Sequence, residues 1–137
     1  MALLATSVLA EDPVLRVAMT IYTEARGESL AGKQAVANVI YNRAGDRMTV
    51  KHETWGKALV KTCQFPAFSC WKNIKAPNMR SQKDRQAWRD SYRIAVSVCD
   101  GSYDPKLTSR FYHEKAINPY WATNMRMIAK IGNHKFY

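Results

Sequence analysis

The sequence predicts a single α+β domain that is predominantly α-helical. Its 137 residues suffice for one hydrophobic core, and 47% of them are hydrophobic, which is typical of a globular chain. Several segments combine helical periodicity with cap signals, whereas residues 108–113 have strand-like character or form a buried turn. No repeat or linker divides the chain, so residues 1–137 are treated as one domain, with 1–11 as an N-terminal arm or short helix.

The first predicted helix begins at Pro13, because Asp12 is a good N-cap and proline suits the first helical position. Gly27 suits its end. On a helical wheel, one apolar stripe consists of Val14, Val17, Ala18, Ile21 and Ala25. The opposite, solvent-facing side is predicted to carry Arg16, Thr23 and Arg26.

Glu24 lies at the edge of this apolar stripe. A carboxyl group there loses contact with water, which favours its protonated form and suits a general acid. The alternative is a structural glutamate that is satisfied by a nearby arginine or backbone amide. The residues alone leave both interpretations open.

A second helix is predicted over residues 30–43, capped by Ser29, with Ala35, Val36, Val39 and Ile40 facing inward. The short connection between the two helices forms a corner that places Glu28 near Glu24. Glu28 is a candidate substrate contact. The residues favour the alternative that it stabilises the corner by binding amides of the second helix or Arg43.

The remaining elements are less regular. We predict a polar loop at 44–54, a short helix at 55–60 and an irregular aromatic segment at 62–77. Ser81 and Asp84 form a capping box for a third helix that ends near Cys99. Its inward residues are predicted to be Trp88, Tyr92, Ala95, Val96 and Cys99. A last helix or helical turn is expected within residues 119–131.

Aromatic and amide side chains are predicted to line a groove for a sugar. Sugar rings present apolar faces and a rim of hydroxyls, which such side chains in loops can bind. The candidates are Gln64, Phe65, Tyr112, His113 and Trp121. The alternative is a hydrophobic cluster beneath a long loop, and a lone histidine is more often structural.

The net charge of +10 favours a polyanionic partner, such as nucleic acid, an anionic membrane or an anionic wall polymer. The basic residues are dispersed, so no nucleic-acid contact is expected, although a small basic nucleic-acid-binding domain is the non-enzyme alternative. The three cysteines have no zinc-ligand spacing and no HExxH motif occurs, so neither a metal nor a cofactor is predicted.

Six motifs occur in one order along the chain. They are IYTEARGE at 21–28, GKQAVANVIYNR at 32–43, QF at 64–65, FYH at 111–113, PYW at 119–121 and IGNHKFY at 131–137. Together they resemble the SleB-like cell-wall hydrolase family, which implies a lysozyme-like domain. The catalytic glutamate of that family corresponds to Glu24.

The resemblance implies cleavage of the bond between N-acetylmuramic acid and N-acetylglucosamine in peptidoglycan. It favours a lytic transglycosylase, which needs one carboxyl group, over a hydrolytic muramidase that uses a second carboxylate. A lone basic domain of this size resembles a bacteriophage endolysin. We therefore expect a monomer that is made in the host cytoplasm, acts on the wall and is attracted to the anionic envelope; secretion is the less favoured alternative.

Overall fold

The computed structural model describes residues 13–47, 79–100 and 102–137. Within them, helices α1 (Pro13–Ala25), α2 (Leu30–Arg47) and α3 (Gln82–Asp100) precede three short strands. The strands are β1 (Tyr112–Glu114), β2 (Ala129–Ile131) and β3 (His134–Phe136), with a 3₁₀ helix at Tyr120–Asn124 before β2. This arrangement confirms the predicted α+β class with mainly helical content. Among these residues, no helix has the length and apolar character needed to cross a bilayer.

The core lies between the three helices and is closed by the sheet. The predicted inward residues of α2 are all buried, and so are those of α1 except Val14, which is partly buried. The prediction that Arg16 lies on the solvent-facing side of α1 is wrong, because Arg16 is buried. The physical reason is that both α2 and α3 pack against α1, so its buried surface is wider than one stripe.

Helix α2 extends four residues beyond its predicted end, so residues 44–47 are helical and do not belong to the predicted polar loop. Ala44 is fully buried and follows Ile40 by one helical turn, so it continues the inward stripe of α2. Sequence alone places Ala44 in a polar segment because its neighbours are polar.

Helix α3 starts as the capping box predicts. The backbone amide of Asp84 donates to Ser81 Oγ at 3.0 Å. Its inward face differs from the prediction, because Tyr92 and Val96 are about 40% exposed. The buried residues are Ala87, Ser91, Ile94, Ala95 and Val98. Small residues one turn apart let α3 approach α1 closely, so small size rather than large apolar area determines the buried face.

The three strands form an antiparallel sheet in the order β1-β3-β2. Opposite residues in its register include Tyr112 with Phe136, and Ile131 with His134. The helical turn expected within 119–131 is confirmed by the 3₁₀ helix at Tyr120–Asn124, whereas a longer helix is excluded because β2 occupies the end of that range. The strand-like character predicted for 108–113 is confirmed only at its last two residues, where β1 begins.

The segment before β1 is fastened to α2 by side-chain hydrogen bonds. Asn42 Nδ2 donates to the carbonyl oxygens of Leu107 and Ser109, each at 2.9 Å. The Tyr103 hydroxyl donates to the carbonyl of Gln34 at 2.8 Å. These contacts fix where β1 starts, and so they position the residues described below.

The burial of Tyr103 leads us to predict that the protein loses stability in alkaline solution. Burial, with a smaller contribution from Asp104, raises the pKa of Tyr103 to about 12, whereas an unfolded tyrosine titrates near 10. The folded state holds the proton of the Tyr103 hydroxyl more tightly than the unfolded state does. The stability that this hydroxyl contributes is therefore fully present below about pH 10 and is lost as the pH rises towards 12.

The measurement is the free energy of unfolding of the parent and of Tyr103→Phe at several pH values. We expect the advantage of the parent to be largest below about pH 10 and to shrink towards pH 12. A difference between the two proteins that does not change with pH would contradict this assignment.

Candidate active site

Glu24 and Tyr112 form a direct contact at the edge of the helical core. Glu24 is the penultimate residue of α1 and is half-buried, and Tyr112 is the first residue of β1. The Tyr112 hydroxyl donates to Oε2 of Glu24 at 2.7 Å. The fold therefore joins a glutamate and a tyrosine that are 88 residues apart in the sequence.

The Tyr112 phenol is held in its protonated form. Burial raises the pKa of Tyr112 far above its usual range, and the negative charge of Glu24 and the hydrogen bond to it add to the shift. Arg43 opposes the shift weakly. Tyr112 is therefore a fixed hydrogen-bond donor to Glu24 under ordinary conditions.

Two rings of β3 hold the Tyr112 side chain in place. Its ring stacks on Phe136 at a centroid distance of 5.6 Å and meets His134 edge-on at 5.3 Å. Phe136 is completely buried in the core, so it provides a rigid base. Both rings lie in the C-terminal motif that contributed to the family resemblance, and His134 has here the structural role that is more common for a lone histidine.

The carboxylate of Glu28 contacts other residues of the protein. Oε1 accepts a hydrogen bond from the backbone amide of Asn133 at 2.9 Å. Nδ1 of His134 lies 2.9 Å from the same oxygen at an angle unsuited to a hydrogen bond, so this contact is an ion pair when the imidazole is protonated. Both side chains are more than nine-tenths buried. Glu28 thus connects the α1–α2 corner to the turn between β2 and β3.

The partners proposed for Glu28 from sequence were wrong in detail. Its carboxylate binds an amide of the hairpin turn rather than amides of α2. Arg43 donates from Nε to the carbonyl of Arg110 at 2.6 Å, and its guanidinium lies over the Phe111 ring. A direct role of Glu28 in substrate binding stays a prediction, but its observed contacts are intramolecular.

Close packing surrounds the Glu28 side chain. Gly132 has φ +57°, and a Cβ atom built there would lie 2.6 Å from Glu28 Oε2. A Cβ atom on Gly32 would lie 2.8 Å from the Cβ of Glu28. Lys33 is buried beside them and donates from Nζ to the Glu28 carbonyl. Its burial lowers the pKa of Lys33, while Asp90 and Glu28 oppose that shift.

His113 and Trp121 lie on the other side of β1 from the Glu24–Tyr112 contact. Neighbouring residues of a strand point to opposite faces, and His113 directly follows Tyr112. His113 stacks on Tyr137 at 5.4 Å, and Trp121 meets both rings edge-on. The prediction that Trp121 and Tyr112 line one groove with Glu24 therefore has no support in this arrangement. Glycan binding by His113 and Trp121 stays a prediction.

The remaining predicted groove residues, Gln64 and Phe65, lie outside the described residues. So do the predicted N-terminal arm, the predicted elements between residues 51 and 78, and two of the three cysteines. Within the described ranges, no group of three or more His, Cys, Asp or Glu side chains is arranged to hold a metal ion.

The comparisons with known proteins assign this chain to a class of enzyme. The profile of the Cell Wall Hydrolase family matches residues 27–137, so the chain belongs to that family and acts on peptidoglycan. The matched residues include Glu28, Tyr112 and His134 and begin three positions after Glu24.

A solved structure shows the same fold. It is the catalytic domain of the SleB protein of Bacillus cereus, with a TM-score of 0.59. The comparison covers 90% of this chain and 88% of that chain at 24% sequence identity. No curated protein matches the chain.

The packing at Gly132 predicts a strong effect of a single methyl group. Gly132→Ala places a Cβ atom against the Glu28 carboxylate and strains the backbone at a positive φ. We expect a loss of roughly 1–3 kcal/mol in the free energy of unfolding. Chemical denaturation measures it.

Gly27→Ala is the matched control for this prediction. A Cβ atom on Gly27 would meet no other atom within 4 Å. Its stability should therefore stay within about 0.5 kcal/mol of the parent. Equal stability of the two alanine variants would show that Gly132 is not constrained as described.

Proposed function

We propose that this enzyme cleaves the glycosidic bond between N-acetylmuramic acid and N-acetylglucosamine as a lytic transglycosylase. Glu24 is its single catalytic carboxyl group in this proposal. The observation that carries it is the hydrogen bond from the Tyr112 hydroxyl to Glu24 Oε2, in a chain of the cell wall hydrolase family. Such a bond orients one carboxyl group and leaves its other oxygen for the substrate.

The first step is proton donation. With the Tyr112 hydroxyl donating to Oε2, the acid form of Glu24 carries its proton on Oε1. Glu24 gives this proton to the glycosidic oxygen of the leaving N-acetylglucosamine as the bond to C1 of muramic acid breaks. The negative charge that remains on Glu24 is stabilised by the same tyrosine hydroxyl.

The second step returns the proton. The Glu24 carboxylate removes the proton from the C6 hydroxyl of the muramic acid, and O6 forms a bond to C1. The products are a 1,6-anhydro sugar and a free N-acetylglucosamine end, and no water is consumed. Because the attacking hydroxyl belongs to the substrate, it is present at high effective concentration.

The contacts of Glu28 support a mechanism with one carboxylate. Glu28 is the nearest acidic residue to Glu24 in the sequence, and its carboxylate is buried against Asn133 and His134. A carboxylate held in this way is poorly placed to activate a water molecule across a cleft. In the proposed mechanism Glu28 positions the tyrosine through the hairpin and does not touch substrate.

Removal of the acid proton tests the assignment of Glu24. Glu24→Gln keeps the shape of the side chain and an oxygen that can accept from Tyr112, but has no proton to give. We expect lysis of purified cell walls to fall by about 100-fold or more, with the melting temperature close to that of the parent. Turbidity loss and thermal unfolding measure the two quantities.

Two further variants sharpen this test. Glu114→Gln removes an exposed carboxylate of the same strand as Tyr112 and should leave lysis unchanged. Tyr112→Phe keeps the ring against Phe136 and His134 but loses the hydrogen bond to Glu24, so lysis should fall by roughly 10- to 100-fold. Near-normal lysis by folded Glu24→Gln would refute the proposal.

The product decides between a transglycosylase and a muramidase. If Glu24 acts alone, released muropeptides end in 1,6-anhydromuramic acid, which borohydride cannot reduce. A second carboxylate that activated water would instead give reducible muramic acid. Mass spectrometry of the muropeptides before and after borohydride treatment distinguishes them, and predominantly reducible ends would overturn the transglycosylase assignment.

A further inference from the structure

The segment at residues 120–128 exposes an unusual number of large apolar side chains. It contains the 3₁₀ helix and the approach to β2, and every residue in it except Ala122 is exposed. Tyr120 is 90% exposed, while Met125, Met127 and Ile128 are between 37% and 47% exposed. Large exposed apolar side chains grouped in one short segment mark a contact surface.

A rigid base holds this segment away from the core. Trp121 packs against the rings of Phe111, His113 and Tyr137 at centroid distances of 5.5–5.6 Å. The His113 ring is fixed in turn, because Nδ1 contacts the Glu114 carbonyl and Nε2 contacts the Tyr137 hydroxyl. The apolar side chains are therefore presented by a fixed platform.

The charged side chains within the stretch that contains this segment are all basic. Residues 115–135 contain no acidic residue and four basic ones, namely Lys115, Arg126, Lys130 and Lys135. Lys130 and Lys135 lie directly opposite each other across β2 and β3, next to His113 in the same row. Like charges in opposite positions destabilise a sheet, and a negatively charged surface would relieve that repulsion.

We infer that residues 120–128, with Lys130 and Lys135, form a docking surface for an anionic phospholipid bilayer. Tyrosine, tryptophan, methionine and isoleucine suit the boundary between headgroups and acyl chains, and the adjacent lysines suit anionic headgroups. The Thr123 hydroxyl is bonded to the Tyr120 carbonyl, and both ring nitrogens of His113 have protein partners, so these polar groups are not directed towards a ligand.

This surface is separate from the proposed catalytic contact. It lies on the face of β1 that carries His113, whereas Tyr112 reaches Glu24 from the opposite face. Membrane docking would thus keep the enzyme at the bilayer without using the residues proposed for chemistry. The two proposals can therefore fail independently.

The test is co-sedimentation of the whole protein with vesicles. One set contains phosphatidylglycerol mixed with phosphatidylcholine, and the other contains phosphatidylcholine alone. We expect binding to the anionic vesicles, weaker binding at high salt and little binding to the neutral vesicles. Equal binding to both kinds of vesicle, or none to the anionic ones, would overturn the inference.

Variants distinguish this surface from general positive charge. Tyr120→Ser with Met127→Ser should weaken binding to anionic vesicles by about tenfold or more, because two exposed apolar anchors are lost. Tyr92→Ser is the matched control, since Tyr92 is an exposed tyrosine of α3 outside the segment. Its binding should equal that of the parent.

Two measurements keep the result interpretable. Lysis of purified walls by the double variant shows that it is folded, and sedimentation with isolated peptidoglycan reports on glycan binding. Unchanged vesicle binding by the folded double variant would refute the inference. So would a loss of peptidoglycan binding with vesicle binding intact, because that result would make the surface a glycan site.

Discussion

The contact between the Glu28 carboxylate and the turn of the C-terminal hairpin determines the geometry of the candidate site. One end of this contact is the corner between α1 and α2, and the other is the amide of Asn133 with the adjacent His134. Because β3 pairs with β1, fixing the turn also fixes the strand that carries Tyr112. Glu28 therefore supports the hydrogen bond between Tyr112 and Glu24 through the hairpin, without itself contacting Glu24. Chains of this kind are typical of catalytic groups that must hold one orientation.

Two glutamates four positions apart in the sequence thus have opposite environments. Glu24 still belongs to α1 and is half-buried, and its Oε2 accepts a hydrogen bond from Tyr112. Helix α1 ends at Ala25, so Glu28 lies past its end and turns towards the hairpin. If the helix had continued, the two carboxylates would have faced each other one turn apart and repelled. The helix end at Ala25 thus separates a carboxyl group bonded to Tyr112 from one buried against the hairpin.

Local features of the sequence predicted much of the helical part of this fold. The stripes of α1 and α2 repeat with helical periodicity, and the capping box at Ser81 and Asp84 is a contact within one turn. The placement of Glu24 at the edge of a buried stripe followed from the same periodicity. The inward face of α3 could not be predicted in this way, because whether large or small residues face inward depends on how closely a neighbouring helix approaches.

The sheet could not be predicted in the same way. Its strands are only three residues long, too short for alternation to appear in the sequence, and β2 lies at the end of a segment for which a helix or a helical turn is predicted. The partner of Glu28 is 105 residues away, so no local pattern reveals it. The face to which Tyr112 points depends on the register with Phe136, which is a property of the folded sheet.

That register also explains why adjacent residues of one motif, Tyr112 and His113, belong to different surfaces. A sheet with one face on the core directs alternate side chains to Glu24 and to the platform beneath Trp121. The three residues of β1 therefore contribute to two separate surfaces, one on each side of the sheet.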